Sequence, residues 1–159
     1  MQFFLPIFQY FETSSIGAWI NNSIWLFPAI EAVHIVALTL LFGSILMLNL
    51  RLLGLVLTEK PIAQLAKHLA PWIFCSLVII LVSGFMLFSS QALKSYSSVP
   101  FQVKMVFLFS AIVFHYTIYS FLTKSAEGRV RPLWNKLAAV LSVALWLGVG
   151  IGGRAIGFL

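Results

Sequence analysis

Five ionisable side chains within or beside long apolar runs are the residues of this sequence that could do chemistry. Glu31 and His34 lie in the first run, His115 lies in the third, Arg154 ends the fourth, and His68 lies at the rim of the second. Ionisable groups are costly in hydrocarbon, so each of them is a functional candidate. Their types favour ligand binding or proton transfer, and no catalytic residue is assigned.

The histidines predict a haem site. Two imidazoles from different helices of a bundle are the usual axial ligands of a buried b-type haem. The helical rise places His34 roughly 10–15 Å and His115 roughly 20 Å below the same surface, so the two rings could face each other. We therefore predict that His34 and His115 bind iron. His68, at the other rim, is a further candidate metal ligand and could pair with His115.

Glu31 and Arg154 are predicted to support this site. Glu31 precedes His34 by three residues and shares its helix face, and a neighbouring carboxylate orients an imidazole. Arg154 ends its helix at about the level of Glu31, which favours an ion pair between them. The alternative is that this pair is only neutralising and that His34 only hydrogen-bonds between helices.

Composition identifies lipid as the solvent of the chain. Of 159 residues, 61% are apolar and 9% are charged, whereas soluble domains carry about 25% charged residues. The net charge of +6 does not indicate nucleic acid, because the basic residues lie in gaps between apolar runs rather than clustered on one exposed face. We expect no nucleic-acid partner.

Four segments can cross a hydrocarbon core, which takes roughly 20 apolar residues. They cover about 24–50, 69–88, 101–122 and 133–153. Helices satisfy their backbone groups within one span, and short connections make neighbours antiparallel. The sequence predicts an all-α, up-down-up-down bundle of four transmembrane helices, as a single integral membrane domain over 1–159. Residues 1–22 are expected to be an uncleaved interfacial segment, because they lack a basic n-region.

The basic residues predict the orientation. Seven of the ten lie in the loops after the first and third spans: Arg51, Lys60, Lys67, Lys124, Arg129, Arg131 and Lys136. Loops rich in Lys and Arg remain in the cytoplasm. We therefore predict a multi-pass protein of the bacterial inner membrane with both termini outside.

Two apparent motifs are set aside. The stretch from Gly148 to Gly153 fits G-x-G-x-x-G but ends a membrane helix, whereas a dinucleotide site joins a strand to a helix. Glu31-x-x-His34 matches half of a di-iron bundle motif, but the other glutamates lie outside the core. The glycine stretch is instead typical of a close-packing helix face.

Several short runs resemble a family of small, uncharacterised four-helix inner-membrane proteins of bacteria. They are Phe27-Pro-Ala-Ile-Glu-Ala-Val-His34, Gly43-Ser44, Asn49-Leu-Arg-Leu-Leu-Gly54, Ala70-Pro-Trp72, Ser83-Gly84, Lys104, Phe114-His115 and Gly153-Arg-Ala-Ile-Gly157. That family is similar in architecture to bacterial b-type cytochromes and to the membrane domain of copper-resistance proteins. The resemblance implies that His34 and His115 are the pattern histidines, with Glu31 and Arg154 beside them. His68 matches no family position, and three histidines are too few for the four that dihaem cytochromes use.

Three functions follow as hypotheses. The first is a b-type cytochrome-like electron carrier with one haem b between helices, exchanging electrons with a quinol. The alternative is a cofactor-free packing or accessory subunit of a larger respiratory or photosynthetic membrane complex, or of a homo-oligomer. A third is binding or transport of a small ligand or of a metal such as copper.

Overall fold

The computed structural model describes residues 5–124 and 132–156, and in these ranges the chain is helical without strands. The helices are α1 (Leu5–Thr13), α2 (Ser15–Asn21), α3 (Leu26–Leu52), α4 (Ile62–Ser90), α5 (Ala92–Ser97), α6 (Val99–Lys124) and α7 (Pro132–Ile156). Four of them, α3, α4, α6 and α7, are long and apolar enough to cross a membrane. The prediction of an all-α fold with four spanning helices is confirmed, and the chain is a multi-pass membrane protein.

The second spanning helix begins earlier than the sequence predicts. The expected span starts near residue 69, whereas α4 begins at Ile62 and continues through Pro71. Pro61 precedes the first helical turn, and the residues from Ile62 onward form one continuous helix with the span. An interior proline removes one backbone donor and can kink a helix without ending it.

The four long helices form a closed ring. The two hairpins α3/α4 and α6/α7 make the most extensive contacts, and α3 against α7 and α4 against α6 complete the ring. The Arg51 guanidinium links the end of α3 to the loop before α4. It donates hydrogen bonds to the Thr58 and Lys60 carbonyl oxygens. We call the end where α3 and α6 begin the Arg154 end, and the opposite end the Asn49 end.

The two N-terminal helices pack on the Arg154 end. The Asn21 amide donates to the Ser90 carbonyl at 3.2 Å, and the Glu12 carboxylate accepts from the Leu93 backbone amide at 2.7 Å. A Cβ at Gly17 would lie 2.7 Å from the Ser89 carbonyl oxygen, so α2 can approach α4 this closely only with glycine there. The expected surface segment is thus a pair of helices docked against the bundle.

The centre of the ring is filled by apolar side chains from all four long helices. Nine buried residues form this core: Ala37, Leu41, Ile45, Ile73, Leu77, Ile80, Ala111, Trp146 and Val149. Protein interiors of this kind are close-packed. The buried Ser76 hydroxyl lies within this layer and donates to a carbonyl oxygen of its own helix.

Candidate functional site

A cluster of polar side chains lies inside the bundle toward the Arg154 end. We call His34, Ser83 and Lys104 the His34 cluster; they come from α3, α4 and α6. The Nδ1 atom of His34 is 2.8 Å from the Ser83 hydroxyl oxygen. The Lys104 ammonium is near enough to act electrostatically on the His34 ring. All three side chains are buried or half-buried, so three spanning helices contribute to one interior site.

The hydrogen bonds assign the tautomer of His34. The Ser83 hydroxyl donates its one proton to the Ile79 carbonyl oxygen at 2.5 Å, so its oxygen accepts from His34. Nδ1 of the imidazole must then carry the hydrogen, and in a neutral ring Nε2 is an acceptor. The cluster thus combines a hydrogen-bond acceptor, Nε2, with a cationic donor, Lys104.

Glycines line this cluster and allow its close approach. A Cβ at Gly84 would lie 3.3 Å from the Cε1 atom of His34, and one at Gly152 would lie 3.1 Å from the Lys104 Cβ. A Cβ at Gly153 would lie 3.5 Å from the Lys104 ammonium nitrogen. The stem of Lys104 therefore runs over two glycines of α7, and its ammonium lies near the end of that helix.

Among the described residues, no acidic side chain is found beside this lysine. Its side chain is half-buried there. A half-buried cation without a counter-charge is costly. The cluster therefore has the electrostatic character of a site for an oxygen-rich or anionic ligand.

His115 lies on α6, outside the His34 cluster. Its side chain is 7% exposed on α6, and its ring contacts that of Tyr116 edge-on, with centroids 5.6 Å apart.

The contacts between helices show the level of His115. Phe107 of α6 faces Gly148 of α7. His115 is eight residues beyond Phe107, and Ser142 is six residues before Gly148, so His115 and Ser142 lie within about 3 Å of one level. Ser142 is also the acceptor for the Asn49 amide of α3, at 3.1 Å and buried. His115 thus belongs to a second polar level at the Asn49 end.

The structure does not bring His34 and His115 together. Lys104, which marks the level of the His34 cluster, precedes His115 by eleven residues on α6, or about 16 Å along the helix axis. The apolar core fills the space between the two levels. Axial ligands of one iron lie within a few ångströms of each other on opposite faces of the porphyrin. These two residues therefore do not fit a single haem in this arrangement.

His68 lies at the surface of α4. It is exposed, and its Nδ1 atom is 2.8 Å from the Gln64 carbonyl oxygen of the same helix. Across the described part of the chain, no three His, Cys, Asp or Glu side chains are grouped so that they could hold a metal. His68 is therefore exposed and is no part of the His34 cluster, and its pairing with His115 stays a prediction.

Glu31 and Arg154 are exposed and lie at different levels. The Asn49–Ser142 hydrogen bond sets the register of α3 against α7. By that register Arg154 is level with residue 37, so Glu31 lies about 9 Å further along the axis. The two backbones are therefore not level, because α3 extends beyond the Arg154 level, and the ion pair stays a prediction.

Arg154 also lines an open groove between α3 and α7. The groove has a volume of about 500 Å³ and is mostly apolar. Gly43 and Gly150 both line it, and a Cβ on either would meet nothing within 4 Å. Trp146 lies against the core side of the groove and is 4% exposed, and its indole nitrogen has no hydrogen-bond partner among the described residues.

The sequence places Ser83 and Lys104 in the family resemblance but assigns them no role beside His34. Lys104 could have been found, because a lysine inside a spanning segment is as unusual as a histidine there. Serine is common in membrane helices, so the residue type of Ser83 does not indicate a partner of His34.

Comparison with known proteins gives a family without an assigned activity. A family model described as a family of unknown function matches residues 7–159. No curated protein and no solved structure matches the chain. The expected membership of an uncharacterised family agrees with this match, whereas the comparisons lend no support to a similarity to b-type cytochromes or copper-resistance proteins.

Proposed function

We propose, from the premise that this chain belongs to DUF6644, a family of unknown function, that the His34 cluster binds the head group of a membrane quinone or quinol. The observation that carries the proposal is the pairing, in one half-buried site, of an imidazole acceptor with a lysine that has no described acidic side chain beside it. A quinol hydroxyl can donate to Nε2 of His34, and a quinone carbonyl can accept from the Lys104 ammonium.

The surroundings of the cluster suit such an amphipathic ligand. Ligand sites are mostly apolar, with a few polar groups that fix orientation. His34 is eight residues from the start of α3, or about 12 Å into the helix, which is near the end of the hydrocarbon region. A quinone head at this depth keeps its isoprenoid tail in lipid. The distribution of basic loops predicts that this end faces away from the cytoplasm of a bacterial inner membrane.

Electron transfer stays a further hypothesis. The chain's own residues would bind and orient the quinol and accept its hydrogen bond at Nε2, and a redox partner would have to take the electrons. Because His34 and His115 do not fit one haem, we derive no electron-transfer step from them. The redox partner could instead belong to a larger membrane complex.

A titration with soluble quinones tests the proposal. Quinones quench tryptophan fluorescence, so ubiquinone-1 or menadione is added to the purified protein in lipid nanodiscs and the saturable quenching is measured. A hydrogen bond with a charged partner contributes about 1.5–3 kcal/mol, so we expect Lys104→Gln to weaken binding about tenfold or more and Lys104→Arg to retain most of it. His34→Gln should also weaken binding.

Two matched substitutions serve as controls. Lys67→Gln and His68→Gln change the same residue types at exposed positions of α4, and we expect them to leave quinone affinity unchanged. Quenching that never saturates, or equal affinity in Lys104→Gln and Lys67→Gln, would contradict quinone binding at this site.

A second function is favoured by the His34–Ser83 hydrogen bond itself. This bond links α3 to α4, and polar side chains often serve as links between membrane helices. The protein would then be a cofactor-free packing subunit of a larger complex or a homo-oligomer. In that case His34→Gln lowers the thermal stability of the bundle, and no quinone binds to either form.

A further inference from the structure

Aromatic rings from three helices meet at the Arg154 end of the bundle. We call Phe8, Phe11, Phe85, Phe88 and Phe101 the aromatic cap; they come from α1, α4 and α6. Phe8 and Phe11 of α1 contact the Phe88 ring edge-on, and Phe11 also contacts Phe85 edge-on. Phe88 and Phe101 instead lie nearly parallel, with an interplanar angle of 15° and centroids 5.5 Å apart. Phe101 of α6 is thus stacked on a ring of α4.

The parallel pair of rings lies next to the His34 cluster. Phe101 precedes Lys104 by three residues on α6, and Phe88 follows Ser83 by five residues on α4. Both steps lead toward the Arg154 end and correspond to roughly 5–8 Å along the helices. Both rings are half-buried. The pair therefore borders the cluster on the side of the Arg154 end.

The opposite side of the cluster is closed by the apolar core. Ala37 of α3 and Ile80 of α4 belong to that core and are buried. Each lies three residues, or about one helical turn, from His34 or Ser83 on the side of the Asn49 end. Because the core is close-packed, a ring that is hydrogen-bonded to His34 and Lys104 has to extend the other way. It then reaches the level of the parallel pair.

We propose that Phe101 is the stacking wall of this site and that it selects a flat conjugated ring over a phosphate head group. The inference rests on the proposed quinone binding and names what makes it specific. An acceptor nitrogen and a lysine can hold many oxygen-rich groups, a singly protonated phosphate included, whereas a flat conjugated ring also gains from an aromatic ring parallel to it. Among the described rings, Phe101 contacts Phe88 alone, and Phe8 and Phe11 hold Phe88 from the side of α1.

The competing interpretation is that the aromatic cap only packs α1 against the bundle. Loss of a ring from the cap would then lower thermal stability and weaken every ligand of the His34 cluster equally. A stacking wall predicts a different result, because only the ligand with a conjugated ring should lose affinity. Two ligands that use the same polar groups but differ in the ring therefore distinguish the two roles.

The experiment compares menadione with dodecyl phosphate on the full chain in phosphatidylcholine nanodiscs. Menadione binding is measured by quenching of tryptophan fluorescence, and dodecyl phosphate binding by reversal of that quenching. We expect Phe101→Leu to weaken menadione binding about two- to tenfold, the range for aromatic pairs, and to leave dodecyl phosphate binding unchanged. Phe101→Tyr retains the ring and should bind both ligands as the parent does.

Two substitutions serve as controls. Phe8→Leu removes a ring of the same cap on α1, and Phe109→Leu removes an exposed ring of α6; both should keep the parent's affinity for menadione. Equal menadione affinity in Phe101→Leu and Phe8→Leu, with binding still weakened in Lys104→Gln, would overturn the stacking wall and leave the quinone site in place. An equal loss of both ligands in Phe101→Leu would also overturn it, in favour of packing. Absence of saturable menadione binding in the parent would overturn the quinone proposal and this inference with it.

Discussion

At the scale of single residues, the most informative contact is the hydrogen bond from His34 to Ser83. It fixes which ring nitrogen carries the proton, because the serine hydrogen is already used on its own helix. An acceptor nitrogen is thereby kept available in the interior of the bundle.

Substitution of Ser83 tests this assignment. In Ser83→Ala, we expect the fraction of His34 in the Nδ1–H form to fall and the bundle to lose about 0.6 kcal/mol, the average for such bonds between membrane helices. Nitrogen NMR of histidine-labelled protein, in a background where His68 and His115 are glutamine, measures the tautomer. Ser76→Ala is the control, because Ser76 is equally buried but bonds only to carbonyls of its own helix. An unchanged His34 spectrum in Ser83→Ala would contradict the assignment.

At the scale of elements, the glycines of α7 differ in what they do although the sequence presents them as one stretch. Gly148 and Gly152 face α6 and permit contact with the Phe107 ring and the Lys104 stem, while Gly150 faces the open groove. The helical period explains this difference, since residues two apart point to different sides.

Alanine substitutions two residues apart should therefore have opposite effects. Gly148→Ala places a methyl group against the Phe107 ring, and overpacking of this kind costs about 1–3 kcal/mol. Gly150→Ala meets open space and gains helix propensity, so its stability should be unchanged or higher by up to about 1 kcal/mol. Unfolding of both variants in the same detergent measures the difference. Equal stability of the two would show that α6 and α7 are not packed in this register.

The sequence predicts the four spanning helices well, but it predicts poorly the depth of the polar side chains along the bundle axis. Hydropathy and length suffice for four spans, because an apolar run of that length has few alternatives to a membrane helix. Whether His34 and His115 meet depends on the register between helices, which is set by contacts such as Phe107 with Gly148. An uncertainty of a few residues at each helix end is several ångströms in depth, enough to separate or join two rings. The family resemblance identified His34 and His115 but did not fix their spacing.

At the scale of the whole molecule, the bundle has two polar levels separated by an apolar layer. His34 and Lys104 lie on one side of the core, and Asn49, Ser142 and His115 lie on the other. In the described core, apolar packing separates them, and the buried Ser76 hydroxyl there is used on its own helix. The two levels should therefore act as independent units of stability.

A double-mutant cycle between His34 and His115 tests this separation, because free-energy changes at sites more than about 7–10 Å apart usually add within about 0.5 kcal/mol. We expect His34→Gln and His115→Gln to be additive in unfolding measured in detergent, both in protein as purified and after exposure to haemin. His34→Gln with Ser83→Ala is the positive control, since these two side chains are in contact and should couple. One iron held by both histidines would instead make either single substitution nearly as costly as the pair. Strong coupling that appears only after haemin treatment would therefore mean that the helices shift register to bring the two rings together around a haem.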